Sequence, residues 1–197
     1  MDAEAWDERY RAAERLWSTA PNVFVEKRLA DREPGIGLDL ASGEGRNAIW
    51  LAERGWDMTA VDFSSVALER GRALVDAVDF IEADVFTWEP DRSFDLILIA
   101  YLQVEAEPLA DLVRRASGWL NPGGELFMIG HDLSNLDEGV GGPQVPDILW
   151  DLDLMLEWLG ELRVIEGGIV KRPVEVDGDI RYARDTLIRA GAVRTVS

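Results

Sequence analysis

In Gly37-Leu38-Asp39-Leu40-Ala41-Ser42-Gly43-Glu44-Gly45-Arg46-Asn47-Ala48, an apolar run ends in an acid, a pair of glycines follows, and a helical pattern begins. These residue types at this spacing suit a loop that approaches a nucleotide cofactor closely, because glycine has no Cβ to clash and reaches positive φ. The acids narrow the ligand. A diphosphate gripped at a helix N-terminus is disfavoured by Glu44 between the glycines, whereas a cationic, phosphate-free adenosine cofactor suits both acids. Read literally, Gly43-x-Gly45-x-x-Ala48 also satisfies the dinucleotide fingerprint, with Asp62 at the distance of a ribose-binding acid. In either case Asp62, closing the second predicted strand, can accept both ribose hydroxyl protons. Asp84 closes the third in Glu82-Ala83-Asp84-Val85, and no base just before the loop stands ready for a 2′-phosphate.

The elements that must position these residues follow from periodicity. Trp6, Tyr10, Ala13 and Trp17 recur at helical spacing before Pro21, and a second short helix spans Val23 to Ala30. Apolar runs at Ile36 to Leu40, Met58 to Val61, Val78 to Ile81, Phe94 to Ala100 and Leu126 to Ile129 read as strands. Ser64 or Ser65 caps the helix after the second, and Leu109, Leu112, Val113, Ala116, Trp119 and Leu120 form an apolar helical stripe after the fourth. Asn121-Pro122-Gly123-Gly124 stops that helix. Strands alternating with helices imply βαβ units and a parallel sheet covered on both faces. Asp132 to Pro146 reads as a long loop and Ile148 to Leu159 as an acidic amphipathic helix. The segments flanking Asp177-Gly178-Asp179, Leu162 to Val176 and Ile180 to Arg189, form an antiparallel hairpin.

Composition sets limits. At 197 residues and 47% hydrophobic the chain suits a single domain, and a net charge of −18 repels a phosphate backbone and an anionic bilayer alike. With no cysteine and one histidine there is no basis for a disulfide, a thiolate nucleophile or a histidine-rich metal site. No signal-peptide pattern or membrane-length apolar run is evident, so a cytoplasmic protein is expected.

Five motifs together resemble the class I S-adenosylmethionine-dependent methyltransferases across nearly the whole chain. They are Leu38 to Gly45, Ala60-Val61-Asp62, Ala83-Asp84-Val85, Phe94-Asp95-Leu96-Ile97 and Leu120-Asn121-Pro122-Gly123-Gly124, followed by a terminal hairpin. Arg46-Asn47-Ala48 with Leu51-Ala52 and Gly55, and the opening Trp6-Asp7-Glu8-Arg9-Tyr10, are similar to the tellurite-resistance and thiopurine-methyltransferase branch. The resemblance implies an α/β, Rossmann-like three-layer sandwich, with a seven-stranded, mostly parallel sheet and a C-terminal antiparallel hairpin. One domain, 1–197, is expected: a helical lid segment at 1–33, a cofactor-binding core at 34–130, and a substrate loop, helix and hairpin at 131–197.

The resemblance also implies roles. Asp39 orients the amino group of S-adenosylmethionine, while Ala41, Gly43, Gly45 and Arg46 belong to the loop around it. Asp62 holds the ribose hydroxyls and Phe63 packs on the adenine. Asp84 accepts from the adenine amino group, and the Val85 N–H meets a ring nitrogen. Ala100 and Tyr101 border the methyl-donor end, and the N-terminal segment brings Tyr10 over the cofactor. His131 and Tyr101 are the candidate catalytic residues. Relatives often carry a histidine near Gln103, which cannot act as a base near neutral pH. No metal is expected. The implied reaction is in-line methyl transfer to a small-molecule N, O, S or metalloid nucleophile, leaving S-adenosylhomocysteine, by a monomer or homodimer that needs neither nucleic acid nor membrane. An NAD(P)-linked oxidoreductase and a non-catalytic S-adenosylmethionine- or partner-binding module stay open as alternatives.

Overall fold

The computed structural model describes residues 3–12 and 19–193, which group into two compact units, Met1–Leu98 and Ile99–Ser197. In the first unit, α1 (Ala3–Ala12) and α2 (Val23–Leu29) precede a βαβαβ run of β1 (Ile36–Leu40), α3 (Arg46–Ala52), β2 (Asp57–Asp62), α4 (Ser65–Arg72) and β3 (Val78–Glu82). The predicted helical positions Ala13 and Trp17 lie outside the described residues. β2 pairs in parallel with both β1 and β3. Leu38, Leu40, Ala60 and Val61 are fully buried, as expected of strands covered on both faces.

Local chemistry fixes the helix starts in this unit. Asn22 caps α2 by accepting from the Phe24 N–H, and its own N–H donates to Asn47 Oδ1 at 2.9 Å, which ties α2 to α3. Ser64 caps α4 by accepting from the Ala67 N–H. Asp7 of α1 reinforces that cap, accepting from Ser64 Oγ at 2.5 Å, so an acid sits where the helix presents unpaired N–H groups. Arg70 of α4 reaches back to the Tyr10 carbonyl at 2.7 Å, anchoring α1 at a second point.

β4 (Phe94–Ala100) leads into the second unit, which holds α5 (Ala106–Gly118), β5 (Leu120–His131), a one-turn α6 (Asn135–Glu138), α7 (Leu152–Glu157), β6 (Arg163–Val176) and β7 (Asp179–Gly191). β7 is antiparallel to both β5 and β6. Strand order is β3-β2-β1-β4-β5-β7-β6, the seven-stranded Rossmann-like sheet with its antiparallel end. Asp177 and Gly178 both adopt positive φ, 54° and 84°, which is what a two-residue hairpin turn requires.

Three expectations are corrected. β5 begins at Leu120, so Asn121-Pro122-Gly123-Gly124 lies within a strand; the helix has already ended at Gly118, and Ala192 donates to the Gly124 carbonyl beside the β7 end. The segment 132–146 is not irregular throughout. Asp132 accepts from the Ser134 N–H, and Asn135 bridges the Gly141 carbonyl and the Arg184 N–H, nucleating α6. The helix expected from Ile148 is shorter, because Pro146–Ile148 form a 3-10 turn and Asp151, accepting from the Leu154 N–H, caps α7.

Candidate cofactor cradle and a buried polar cluster

In the first unit, β1 delivers Asp39 into a sealed position, 1% exposed. It accepts a hydrogen bond from the Ala48 N–H, but Oδ2 is buried with no partner. Burial pushes its pKa up to about 7; the Ala48 N–H and the nearby Arg46 charge oppose the rise, and Asp62 adds to it. The chain then turns at Ala41, a non-glycine residue at φ 56°, and at Gly43 and Gly45, with φ 57° and 76°. Gly43 is required twice over, because a Cβ there would lie 2.6 Å from the Tyr10 hydroxyl.

Asp62 shapes the same loop. Its Oδ2 accepts from Gly43 N–H at 2.8 Å and its Oδ1 from Ser64 N–H at 2.9 Å, leaving each oxygen a lone pair for a further donor. Burial raises its pKa, against those backbone hydrogen bonds. Glu44, whose charge the sequence reading set against a diphosphate, is paired with Arg70 at 3.1 Å. The uncompensated acid of the loop is therefore Asp39. Beyond β2 and β3, Phe63 is half-buried, Val85 is buried, and exposed Asp84 accepts from the Phe86 N–H.

In the second unit, half-buried Ala100 ends β4 and Tyr101 follows at φ 58°, its N–H donating to the Ile129 carbonyl. The Tyr101 hydroxyl donates to Asp185 Oδ2 at 2.7 Å. Arg172 Nε donates to the same oxygen at 2.7 Å and to the Tyr101 hydroxyl at 3.0 Å. His131 ends β5 with Nδ1 3.3 Å from Asp185 Oδ1, and both atoms are buried without a hydrogen bond of regular geometry. Burial alone would raise the pKa of Asp185. The hydrogen bonds from His131, Arg172 and Tyr101, with the Arg172 charge, instead hold it below the usual carboxylate value.

Gln103 is structural: its Oε1 accepts from the His131 N–H at 2.8 Å and its Nε2 donates to the Ile148 carbonyl at 2.6 Å. Trp150 N–H donates to the His131 carbonyl, so the backbone of His131 is clamped from both sides. Asp185 and Arg172 escaped the sequence reading. The available signal was an acid sharing the alternation face of Ala183 and Leu187 in a strand otherwise buried there. Among the described residues no group of acids and His131 could hold a metal ion, and no helix is long and apolar enough to cross a membrane.

Residues 38–124 match the family model described as a methyltransferase domain. The chain is 33% identical over 110 residues to a trans-aconitate 2-methyltransferase of Methylobacterium radiotolerans, covering 55% of this chain and 42% of that protein. It is 27% identical over 149 residues to a probable thiol methyltransferase 2 of Arabidopsis thaliana, covering 70% and 65%. The chain thus spans less than two thirds of the length of these curated relatives. In fold it is similar to the N-methyltransferase NodS from Bradyrhizobium japonicum, solved with S-adenosylhomocysteine, at TM-score 0.71 and 18% identity over 98% of this chain and 99% of that one. TehB from Haemophilus influenzae gives TM-score 0.75 at 15% identity, over 96% and 66%. Residues 38–124 thus resemble a methyltransferase domain, and they lie in a seven-stranded Rossmann-like sheet similar to that of these solved structures.

Proposed function

We propose that this chain transfers a methyl group from S-adenosylmethionine to a small-molecule acceptor, acting as one methyltransferase domain over 1–197. The observation that carries this reading is Asp39: a sealed carboxylate oxygen with no partner, at the end of β1 and under a glycine loop, suits a cofactor that brings its own ammonium group. When bound, the cofactor supplies an electrophilic methyl on a sulfonium. Asp39 then orients the amino group, and Asp62 offers its remaining lone pairs to the ribose hydroxyls. Phe63, Asp84 and Val85 surround the adenine, and Tyr10 covers Gly43 against water. The Tyr101 hydroxyl is fully engaged by Asp185 and Arg172, which suits an orienting role.

Curated relatives act, by their names, on trans-aconitate and on thiols, so the acceptor here is a small molecule as well. A net charge of −18 disfavours nucleic-acid and anionic-membrane partners, and a cytoplasmic monomer or homodimer completes the reading. Thermal shift tests the cofactor. S-adenosylmethionine or S-adenosylhomocysteine at a hundredfold over Kd should stabilise by about 2.7 kcal/mol, NADH should not, and Asp62→Ala should lose the shift. Protection by NADH alone would remove the reading in favour of an oxidoreductase. Release of S-adenosylhomocysteine with a thiol, hydroxyl or carboxylate acceptor then separates an enzyme from a binding module.

A further inference from the structure

We propose that Asp185 is a positioning residue that fixes His131 as a proton acceptor at Nε2, so that the methyl acceptor is a thiol or hydroxyl compound whose attacking atom must shed a proton. The inference rests on the methyl-transfer reading. Its starting point is a sealed pair of atoms: His131 Nδ1 and Asp185 Oδ1 lie 3.3 Å apart, and neither makes a hydrogen bond of regular geometry. Their contact is attractive only when Nδ1 carries the proton; the other tautomer sets two lone pairs face to face away from water.

Asp185 is committed to this arrangement. Arg172 Nε and the Tyr101 hydroxyl both donate to its Oδ2, which leaves Oδ1 for the imidazole. The charged and titratable groups facing His131 are Asp185 from β7, Arg172 from β6 and Tyr101 after β4, whose ring centroid lies 5.0 Å from the imidazole. The ring is also confined, because a Cβ on Gly142 would stand 2.9 Å from its Nδ1 and Cε1. Of its two ring nitrogens only Nδ1 is sealed, and Nε2 has no hydrogen-bond partner among the described residues. A carboxylate that holds one imidazole nitrogen protonated makes the other a base and stabilises the imidazolium that forms.

In the reaction, the proton on the acceptor's sulfur or oxygen passes to Nε2 while the lone pair of that atom takes up the methyl. The bonding pair of the broken carbon–sulfur bond stays on the departing sulfur, now neutral. A carboxylate acceptor is already ionised at neutral pH and has no proton to surrender, so this dyad would serve it nothing.

Because the chain has one histidine, ¹⁵N-labelled protein gives one pair of imidazole nitrogen signals, readable without acceptor or cofactor. In the neutral imidazole, Nδ1 should be the protonated nitrogen and Nε2 the bare one; the reverse assignment in the wild-type protein overturns the proposal. Asp185→Asn, whose amide can donate to Nδ1, should reverse or mix the tautomers. It should also lower kcat/KM for a thiol or hydroxyl acceptor by about 100-fold or more, the scale of a lost general base, with the affinity for S-adenosylmethionine unchanged. An Asp185→Asn protein as fast as wild type, or methylation confined to carboxylates across an acceptor panel, also overturns it. The thermal shift with S-adenosylmethionine is read separately, so its absence removes the methyl-transfer reading while the wild-type tautomer still decides the dyad.

Discussion

Asp39 in the first unit and Asp185 in the second are sealed to the same degree, 1% and 0% exposed, yet the protein treats them oppositely. Asp39 has a backbone N–H on one side and nothing on Oδ2, and its pKa is pushed up to about 7. Asp185 gathers a tyrosine hydroxyl, a guanidinium and an imidazole, and its pKa is held down. Burial alone therefore does not mark a functional acid. What distinguishes the two is whether the protein itself supplies the compensating donors. Each acid keeps one buried oxygen without a hydrogen-bond partner, but Asp185 has the Arg172 guanidinium and the Tyr101 hydroxyl on its other oxygen, whereas Asp39 has only a backbone N–H.

The contrast can be broken hardest at Asp185. Asp185→Ala strands Arg172 and Tyr101, and the loss of a buried ion-pair partner should cost about 3–5 kcal/mol in urea unfolding. Asp39→Asn should do the reverse. A carboxyl raised from 3.8 to about 7 binds more protons in the folded than in the unfolded state, so wild-type stability declines between pH 4 and 7, by at most about 4 kcal/mol from this group. The asparagine variant should escape that decline and be the more stable protein at pH 8, while binding S-adenosylmethionine more weakly; a variant less stable than wild type at pH 8 would dissolve the contrast. Calorimetry sharpens it further. If the cationic cofactor favours ionised Asp39, binding at pH 6 should release a fraction of a proton, seen as a buffer-dependent heat, and affinity should rise towards pH 8. Two smaller changes probe the residues beside these acids. Tyr101→Phe removes a hydrogen bond to a charged group and should cost about 1.5–3 kcal/mol. Ala41→Gly relieves a left-handed alanine and should stabilise by up to about 1 kcal/mol, measured as a small rise in Tm.

The turn after β1 and the cap after β2 were legible in the sequence because their determinants are local. Asp39, Gly43 and Gly45 fall within one strand end and the turn after it, and Ser64 caps its helix three residues from the N–H it meets. The Asp177-Gly178 turn announced its hairpin in the same way. The polar cluster was not legible, because its members are far apart in the chain: Tyr101 and Asp185 are separated by 84 positions, and the orientation of Tyr101 depends on a positive φ that no residue type signals. The role of Gln103 was likewise hidden, since its amide acts on the backbone of His131 and Ile148 and not on a ligand. Periodicity overran at both Ile148, where a proline-led 3-10 turn replaces the helix, and Leu120, where β5 has already begun.

The β6–β7 hairpin is long, and both the outer face of β6 and the tip of β7 are exposed, so apolar alternation constrains its pairing weakly. Asp185 lies opposite Val170, and Arg172 is two positions further along the same face of β6. A slip of one residue would turn Arg172 to the opposite side and leave Asp185 buried without its cation, a fault far dearer than any apolar mismatch along the ribbon. The ion pair thus marks the native strand alignment energetically, penalising any register that parts Asp185 from its cation.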